Sequence, residues 1–199
     1  FQIEKKHIFD LGLLNLRGGS LAKGDAIREY IDKNIKARNI EDLKVPMAIV
    51  AVDLRTGARE VFTRGPLREA ICASAAIPGV FAPVPLHGKL LVDGGVMGNL
   101  APEVARQLGA TIVIGANIAK QRSPFDQEEP GPLATILESI SIMGDELVRQ
   151  KRDQFDVLIE PEVGSVGTMD FDRKKELLEA GIAAAQQQMP AIKALLQGR

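Results

Sequence analysis

The segment from Leu90 to Leu100 carries one carboxylate to the end of an apolar strand. The strand candidate ends at Asp93, and two glycines, Gly94 and Gly95, follow it directly. A strand that opens into a tight turn is a common place for catalytic side chains in α/β proteins. The same carboxylate could also do no more than cap the turn that follows it. The segment therefore predicts a strand–turn corner at Asp93 and leaves two roles open for that side chain.

Strand candidates alternate with helix candidates along the chain. Short apolar runs predict strands at 46–52, 59–62, 89–92, 111–118 and 155–159. Amphipathic spacing and capping residues predict helices at 25–37, 66–74, 103–108, 133–152 and 170–188. Such alternation is typical of an α/β fold with three α/β/α layers around a mainly parallel sheet.

The chain length of 199 residues suits a single domain, 1–199. Three stretches fall outside the predicted helices and strands. We expect 1–22 to form an irregular leader, the proline-rich 81–85 to form a connector, and 120–132, with three prolines, to form a loop or lid. The first residue is Phe1 rather than Met, so we expect a segment upstream of it.

Composition excludes several classes of function. The net charge is −1, with one Tyr and no Trp, which argues against a nucleic-acid-binding surface. No apolar run approaches the roughly 18 residues of a membrane span, so we expect a cytoplasmic protein with at most peripheral membrane contact. The single cysteine, Cys72, excludes an internal disulfide, and no residue cluster has metal-ligand spacing. We therefore expect no metal and no cofactor.

Four sequence blocks occur in an order that resembles a known family. They are AVDLRTG at 51–57, GPLREAI at 65–71, ASAAIPGVFAPV at 73–84 and VDGGV at 92–96. Together they resemble the later two-thirds of a patatin-like phospholipase, within the bacterial branch related to neuropathy target esterase. The block LGATIVI at 108–114 extends the resemblance, which covers about 18–118. The resemblance implies a patatin-like α/β/α fold.

The resemblance also implies a chemistry, in which a Ser-Asp dyad hydrolyses acyl esters such as phospholipids or lysophospholipids without a cofactor. In that family the aspartate of an Asp-Gly-Gly motif is the base for the serine, and Asp93 matches it. Gly94 and Gly95 would allow a tight turn and a close backbone approach. Asn99 matches a position where relatives also carry Asn, and we interpret it as a turn-stabilising residue. The loop around Gly98 departs from the family pattern, so its shape is open.

The serine half of that dyad is missing from the sequence. No Gly-x-Ser-x-Gly motif occurs, and the segments around Ser20 and Ser165 each lack one of its glycines. A nucleophile elbow also needs a strand before it and a helix after it, which neither segment has. We therefore expect the elbow and its oxyanion loop to lie upstream of residue 1. This chain would then be the C-terminal portion of a patatin-like domain and inactive alone, with the upstream segment as its partner.

Other candidate residues have simpler explanations. His87 falls at a polar hairpin tip, His7 lies in the leader, and Cys72 lies on an apolar helix face, so none is expected to act in catalysis. The apolar stripe on the 133–152 helix is expected to pack in the core rather than face lipid. A second function remains open: a non-catalytic α/β interaction module that has kept the scaffold and lost the nucleophile half.

Overall fold

The computed structural model describes residues 24–118, 131–163, 166 and 171–198. The chain divides into two compact units, Phe1–Met97 and Gly98–Arg199. The predicted leader, nearly all of the predicted lid, and the predicted helix cap Asp170 lie outside the described residues.

The first unit contains two helices and four strands among its described residues. In chain order these are α1 (Asp25–Asn34), β1 (Ile49–Asp53), β2 (Arg59–Phe62), α2 (Leu67–Ser74), β3 (Val84–Leu86) and β4 (Lys89–Asp93). Short 3₁₀ turns at Ile40–Asp42 and Gly94–Met97 complete the unit. Five of these six elements match predicted ones, with ends shifted by a few residues.

The four strands form one sheet in the order β2-β1-β4-β3, and every pairing in it is antiparallel. The mixed α/β character predicted from the sequence is confirmed, but a mainly parallel sheet is not. For two of these three pairings the physical reason is the length of the connections. Short turns join β1 to β2 and β3 to β4, and a turn of that length can only return the chain antiparallel.

The predicted proline-rich connector is also corrected by the structure, because its last residues belong to β3. Pro85 lies in β3 opposite Leu90 of β4. A proline has no backbone N–H to give to a ladder, so it is tolerated in strands at the edge of a sheet. β3 is such an edge strand, which explains why a proline could occupy it.

Helix α2 covers the sheet and closes the core of the first unit. It packs against β1, β3 and β4, and α1 packs against it. The helix turns Leu67, Ala70 and Ala73 inward, each no more than 2% exposed. From the sheet, Ala51 and Leu91 are fully buried. Burial of this apolar surface is the main term that stabilises the unit.

Asp53, at the end of β1, is a buried carboxylate that fastens two strands together. Its Oδ2 accepts a hydrogen bond from the Thr56 hydroxyl at 2.8 Å. Its Oδ1 accepts backbone N–H bonds from Arg55 and from Leu90 of β4, each at 3.2 Å. The Thr56 bond, followed by these backbone bonds, holds the pKa of Asp53 below its ordinary value against the opposing effect of burial. The carboxylate thus fixes the β1–β2 turn and the start of β4 at once.

The second unit contains three helices and two strands among its described residues. They are α3 (Pro102–Gln107), β5 (Ile114–Ala116), α4 (Pro132–Gln150), β6 (Val157–Ile159) and α5 (Lys174–Gln197). Strands β5 and β6 pair in parallel. The carboxylate of Asp156 accepts hydrogen bonds from the Val113 N–H at 2.7 Å and from the Arg106 guanidinium at 2.6 Å. These bonds connect α3 to the residues that directly precede β5 and β6.

Two expectations for the helices of this unit need correction. The stripe on α4 was expected to be core, yet Ile136 and Met143 are 53% and 57% exposed, while Gly144 and Val148 are buried. The helix predicted at 170–188 is found at Lys174–Gln197, so α5 extends about nine residues further and includes Pro190. A proline inside a helix removes one backbone hydrogen bond and its ring clashes with the carbonyl four residues earlier, at a cost of about 3 kcal/mol or more; the rest of this 24-residue helix outweighs that cost.

Candidate active site

The backbone of Asp93 is fixed from two sides. It is the last residue of β4 and lies opposite Ala51 of β1 in the antiparallel ladder. Its N–H donates a 3.0 Å hydrogen bond to the carbonyl of Ala76, just beyond the end of α2. A side chain carried by a strand and tied to a second segment is held more precisely than one on a free loop.

The carboxylate of Asp93 is partly buried and has little hydrogen-bonding support. Its Oδ1 accepts the backbone N–H of Gly95 at 2.6 Å. Within the ranges described above, Asp93 forms no ion pair and accepts no second hydrogen bond. Burial raises the pKa of the Asp93 carboxyl above its ordinary value of 3.8, and the Gly95 N–H opposes that rise. The group is therefore a stronger base than a solvated aspartate.

The two glycines after Asp93 have different functions. Gly94 is buried, and a Cβ built on it would lie 2.5 Å from the backbone carbonyl oxygen of Val50 in β1. Gly95 supplies the N–H that orients the carboxylate. The Asp-Gly-Gly corner therefore combines a close backbone approach with a local donor, as the sequence predicts for a tight turn.

Asn99, the remaining predicted site residue, belongs to the second unit. It is exposed and lies between Gly98 and the start of α3. Gly98 adopts a φ of +107°, a conformation that favours glycine. The turn-stabilising role of Asn99 stays a prediction.

None of the alternative candidates among the described residues is hydrogen-bonded to Asp93, and the others lie outside those residues. His87 is exposed at the β3–β4 turn with a φ of 50°, at the opposite end of β4. The five residues of that strand span about 16 Å, too far for a hydrogen bond to Asp93. Cys72 is buried in α2, and burial raises the pKa of its thiol, which disfavours the reactive thiolate. His7, Ser20 and Ser165 lie outside the described residues.

Asp53 is the carboxylate that the sequence analysis did not single out. It lies in the first of the four family-like blocks, but it was given no role of its own. The signal was present: an aspartate three residues before Thr56 and four before Gly57 is a pattern typical of turns closed by the Asp side chain. Its contribution is to position β4, and hence Asp93.

In the ranges that the structure describes, no group of three or more His, Cys, Asp or Glu side chains is arranged to hold a metal ion. Among the same residues, none of the helices combines the length and the apolar character needed to cross a bilayer.

Comparison with known proteins identifies the family. The sequence profile described as patatin-like phospholipase matches residues 2–106, more than half of the 199 residues. The chain belongs to the patatin-like phospholipase family. The matched region includes Asp93, Gly94 and Gly95, together with all four strands of the first unit.

Curated relatives agree with this membership. The chain is 29% identical over 189 residues to patatin-like phospholipase domain-containing protein 7 of Rattus norvegicus, covering 81% of this chain and 14% of that protein. It is 37% identical over 135 residues to an uncharacterized NTE family protein of Mycobacterium tuberculosis, covering 67% of this chain and 34% of that protein. It is 34% identical over 104 residues to patatin-like phospholipase domain-containing protein 6 of Homo sapiens, covering 51% and 8%. The chain thus spans about a third or less of the length of these relatives.

Replacement of Gly94 tests the close approach at the corner. We expect Gly94→Ala to lower the free energy of unfolding by about 1–3 kcal/mol, because the new methyl group would lie 2.5 Å from the carbonyl oxygen of Val50, so the backbone has to shift. Urea denaturation followed by far-UV circular dichroism measures the change. The matched control is Gly181→Ala in α5, where a Cβ meets nothing within 4 Å, and where alanine should stabilise the helix by about 0.5–1 kcal/mol. Equal effects of the two substitutions would contradict the argument.

The opposite pKa shifts of the two strand-end aspartates predict opposite effects of removing their charge. Burial raises the pKa of Asp93, so ionised Asp93 lowers stability, and that loss appears as pH rises from 3.8 through the raised pKa. Asp93→Asn should therefore raise the melting temperature at pH 7 and have little effect below 3.8. A gain of about 1 kcal/mol would shift it by roughly 2–4 °C in a chain of this size.

Asp53→Asn is the matched control, since its hydrogen bonds lower the folded pKa. The stabilisation that ionised Asp53 provides is present above the ordinary pKa of an aspartate. It is lost as the pH falls through the lowered pKa of Asp53 in the folded protein. Asp53→Asn should lower the melting temperature at pH 7, with a loss that shrinks in acid. Thermal melts of both variants across this pH range supply the test, and the prediction for Asp93 would be wrong if its variant melted lower than wild type at pH 7.

Proposed function

We propose that this chain supplies the base of a serine acyl-ester hydrolase, with phospholipids, lysophospholipids or related acyl esters as substrates. In this proposal Asp93 accepts the proton of a serine hydroxyl. The observation that carries it is the partly buried Asp93 carboxylate, held on β4 with one oxygen bound to the Gly95 N–H and with a raised pKa. Membership of the patatin-like phospholipase family supports the same class of reaction.

The proposed reaction has two halves that both use Asp93. Asp93 takes the proton from the serine hydroxyl as the serine oxygen bonds to the ester carbonyl carbon. The ester C–O bond then breaks, and the leaving alcohol takes the proton from Asp93, which leaves an acyl-serine. In the second half Asp93 takes a proton from water as the water attacks the acyl carbon. The serine oxygen departs with that proton, and the acid is released.

The electrostatics of the corner suit a base that works without histidine. The Gly95 N–H orients the carboxylate through Oδ1 and leaves Oδ2 with no donor in the described ranges, so that oxygen is the one assigned to the proton. No described lysine or arginine pairs with Asp93, and a cation there would lower its pKa and weaken it as a base. Partial burial has the opposite effect.

The serine is assigned to a segment outside these 199 residues. The sequence contains no Gly-x-Ser-x-Gly motif, and the chain covers only 14% of the rat relative and 34% of the mycobacterial one. The rat relative and the human relative are both named patatin-like phospholipase domain-containing proteins. Such a name fits a larger protein of which this chain is one part. The protein that acts on esters is then the one in which this chain is joined to its serine segment.

The test compares Asp93→Asn with wild type in the protein that carries both the serine segment and this chain. We expect kcat/KM for lysophospholipid hydrolysis to fall by about 10²–10⁴-fold, the usual contribution of a general base. Labelling of the serine by a fluorophosphonate, read by intact-mass spectrometry, should slow in parallel. Asp153→Asn, at an exposed aspartate of the second unit, is the matched control and should leave both rates unchanged.

The same reagents separate the enzyme from the alternative module. The 199-residue chain alone should give one species near 21.5 kDa with no fluorophosphonate adduct. An adduct on this chain, or full activity of Asp93→Asn in the joined protein, would overturn the assignment of Asp93. Absence of any adduct in the joined protein would instead favour the non-catalytic module.

A further inference from the structure

Helix α5 carries an apolar stripe that its own unit does not cover. Leu178, Ile182, Met189 and Leu196 are 64%, 49%, 39% and 63% exposed. A helix in a globular protein normally turns its apolar side chains toward the core. None of the described residues of α5 is fully buried, although the helix contacts β6. Four large apolar side chains therefore share one solvent-facing line.

The spacing of this stripe is that of a two-stranded coiled coil. With Ala185 and Ile192, which are partly buried, the line consists of Leu178, Ile182, Ala185, Met189, Ile192 and Leu196. Successive members are separated by four, three, four, three and four residues, the heptad alternation that brings one helix against another. The stripe is about 27 Å long at 1.5 Å per residue. It offers a seam of six side chains to a second helix.

We propose that this stripe binds α5 of a second copy of the chain in an antiparallel, two-fold symmetric pair. In the central register Leu178 packs opposite Leu196 of the second copy, and Ile182 packs opposite its Ile192. At the centre Ala185 packs opposite Met189 of the second copy, and the symmetry repeats each of these contacts. Large side chains then face small ones at the centre, which leaves no gap between the helices.

The charges beside the stripe favour the antiparallel direction. Glu179 and Lys193 lie seven residues on either side of Gln186, and all three follow stripe residues on the same, exposed edge of the helix. In the antiparallel register, the Glu179 of one copy faces the Lys193 of the other, twice, and Gln186 faces itself. Lys193 has no ion pair among the described residues, whereas Glu179 has only a 3.8 Å contact to exposed Lys175.

A parallel pair would use the same stripe less well. It would place Ala185 opposite Ala185, which leaves a gap at the centre of the seam, and would leave Lys193 without a carboxylate. Pro190 follows Met189 and is exposed, so its ring projects beside the seam and does not block it. The occupant that matches both the spacing and the charges is thus another α5, running in the opposite direction.

The first experiment measures the mass of the 199-residue chain in solution by light scattering over a range of concentrations. We expect conversion to a species of twice 21.5 kDa as concentration rises. Ile182→Glu should raise the dissociation constant by at least about 30-fold, the size of effect seen at central interface residues. Gln187→Glu places the same charge on the opposite face of α5 and is the matched control, for which the dissociation constant should stay within about threefold.

Charge exchange tests the register. Glu179→Lys and Lys193→Glu should each weaken the dimer by about 10–30-fold, because two attractive pairs become two repulsive ones. The double variant restores both pairs and should return the dissociation constant to near the wild-type value. A structural effect of either substitution on α5 alone would not be reversed by the other.

Crosslinking tests the direction of the helices. With Gln186→Cys, a short bis-maleimide should join the two copies through residue 186, because the two side chains face each other across the symmetry axis. With Lys175→Cys, the bis-maleimide should not join the two copies, because the two residues 175 lie about 36 Å apart along the helices of the antiparallel pair. Cys72 is buried, and peptide mass mapping identifies the joined residues.

Three results would overturn the proposal. A monomer at every concentration would exclude pairing through α5. Efficient joining through Lys175→Cys would show a parallel pair. A lower melting temperature of Ile182→Glu without any change in mass would show that the stripe is covered by another part of the same chain.

Discussion

The antiparallel pairing of β1 with β4 is the interaction on which the candidate site depends. It places Asp93 opposite Ala51, in a ladder whose next residues, Val52 and Val92, are buried. Asp53 strengthens the pairing by accepting the Leu90 N–H, and Gly94 allows the chain after β4 to pass against Val50. Backbone contacts within the sheet therefore position the candidate base and determine where its carboxylate lies.

The two aspartates at the ends of these strands show how the surroundings of a carboxylate determine its role. Asp53 accepts three hydrogen bonds and has a lowered pKa, as expected of a carboxylate that holds structure together. Among the residues that the structure describes, Asp93 accepts one, and it has a raised pKa. A carboxylate with so few donors lowers the stability of the fold when ionised, and such a cost is typical of groups kept for chemistry.

Much of the first unit was predictable because its signals are local. The β1–β2 and β3–β4 turns carry Gly57 and Gly88, each with positive φ, and the position of Asp93 at a strand end followed from its neighbours in sequence. The hairpin tip at His87 is where the sequence predicts it, but strand–helix alternation also predicts a mainly parallel sheet, which the four antiparallel strands of the first unit do not form. Pro85 and Pro190 both lie inside regular elements, because an edge strand and a long helix accommodate them. The function of Asp53 depends on its contact with β4, 37 residues away, which no local pattern contains.

Gly94 differs from Gly115, which is also crowded, in the substitutions that could accommodate a larger residue there. At Gly115 a methyl group would meet the side chains of Leu158 and Phe155, at 2.7 Å, and smaller residues there could make room for it. At Gly94 it would meet the carbonyl oxygen of Val50, which every amino acid carries. No second substitution at position 50 can therefore act as a suppressor. A larger residue at position 94 therefore cannot be accommodated by a substitution at position 50, whereas a larger residue at position 115 can be accommodated by smaller residues at positions 155 and 158.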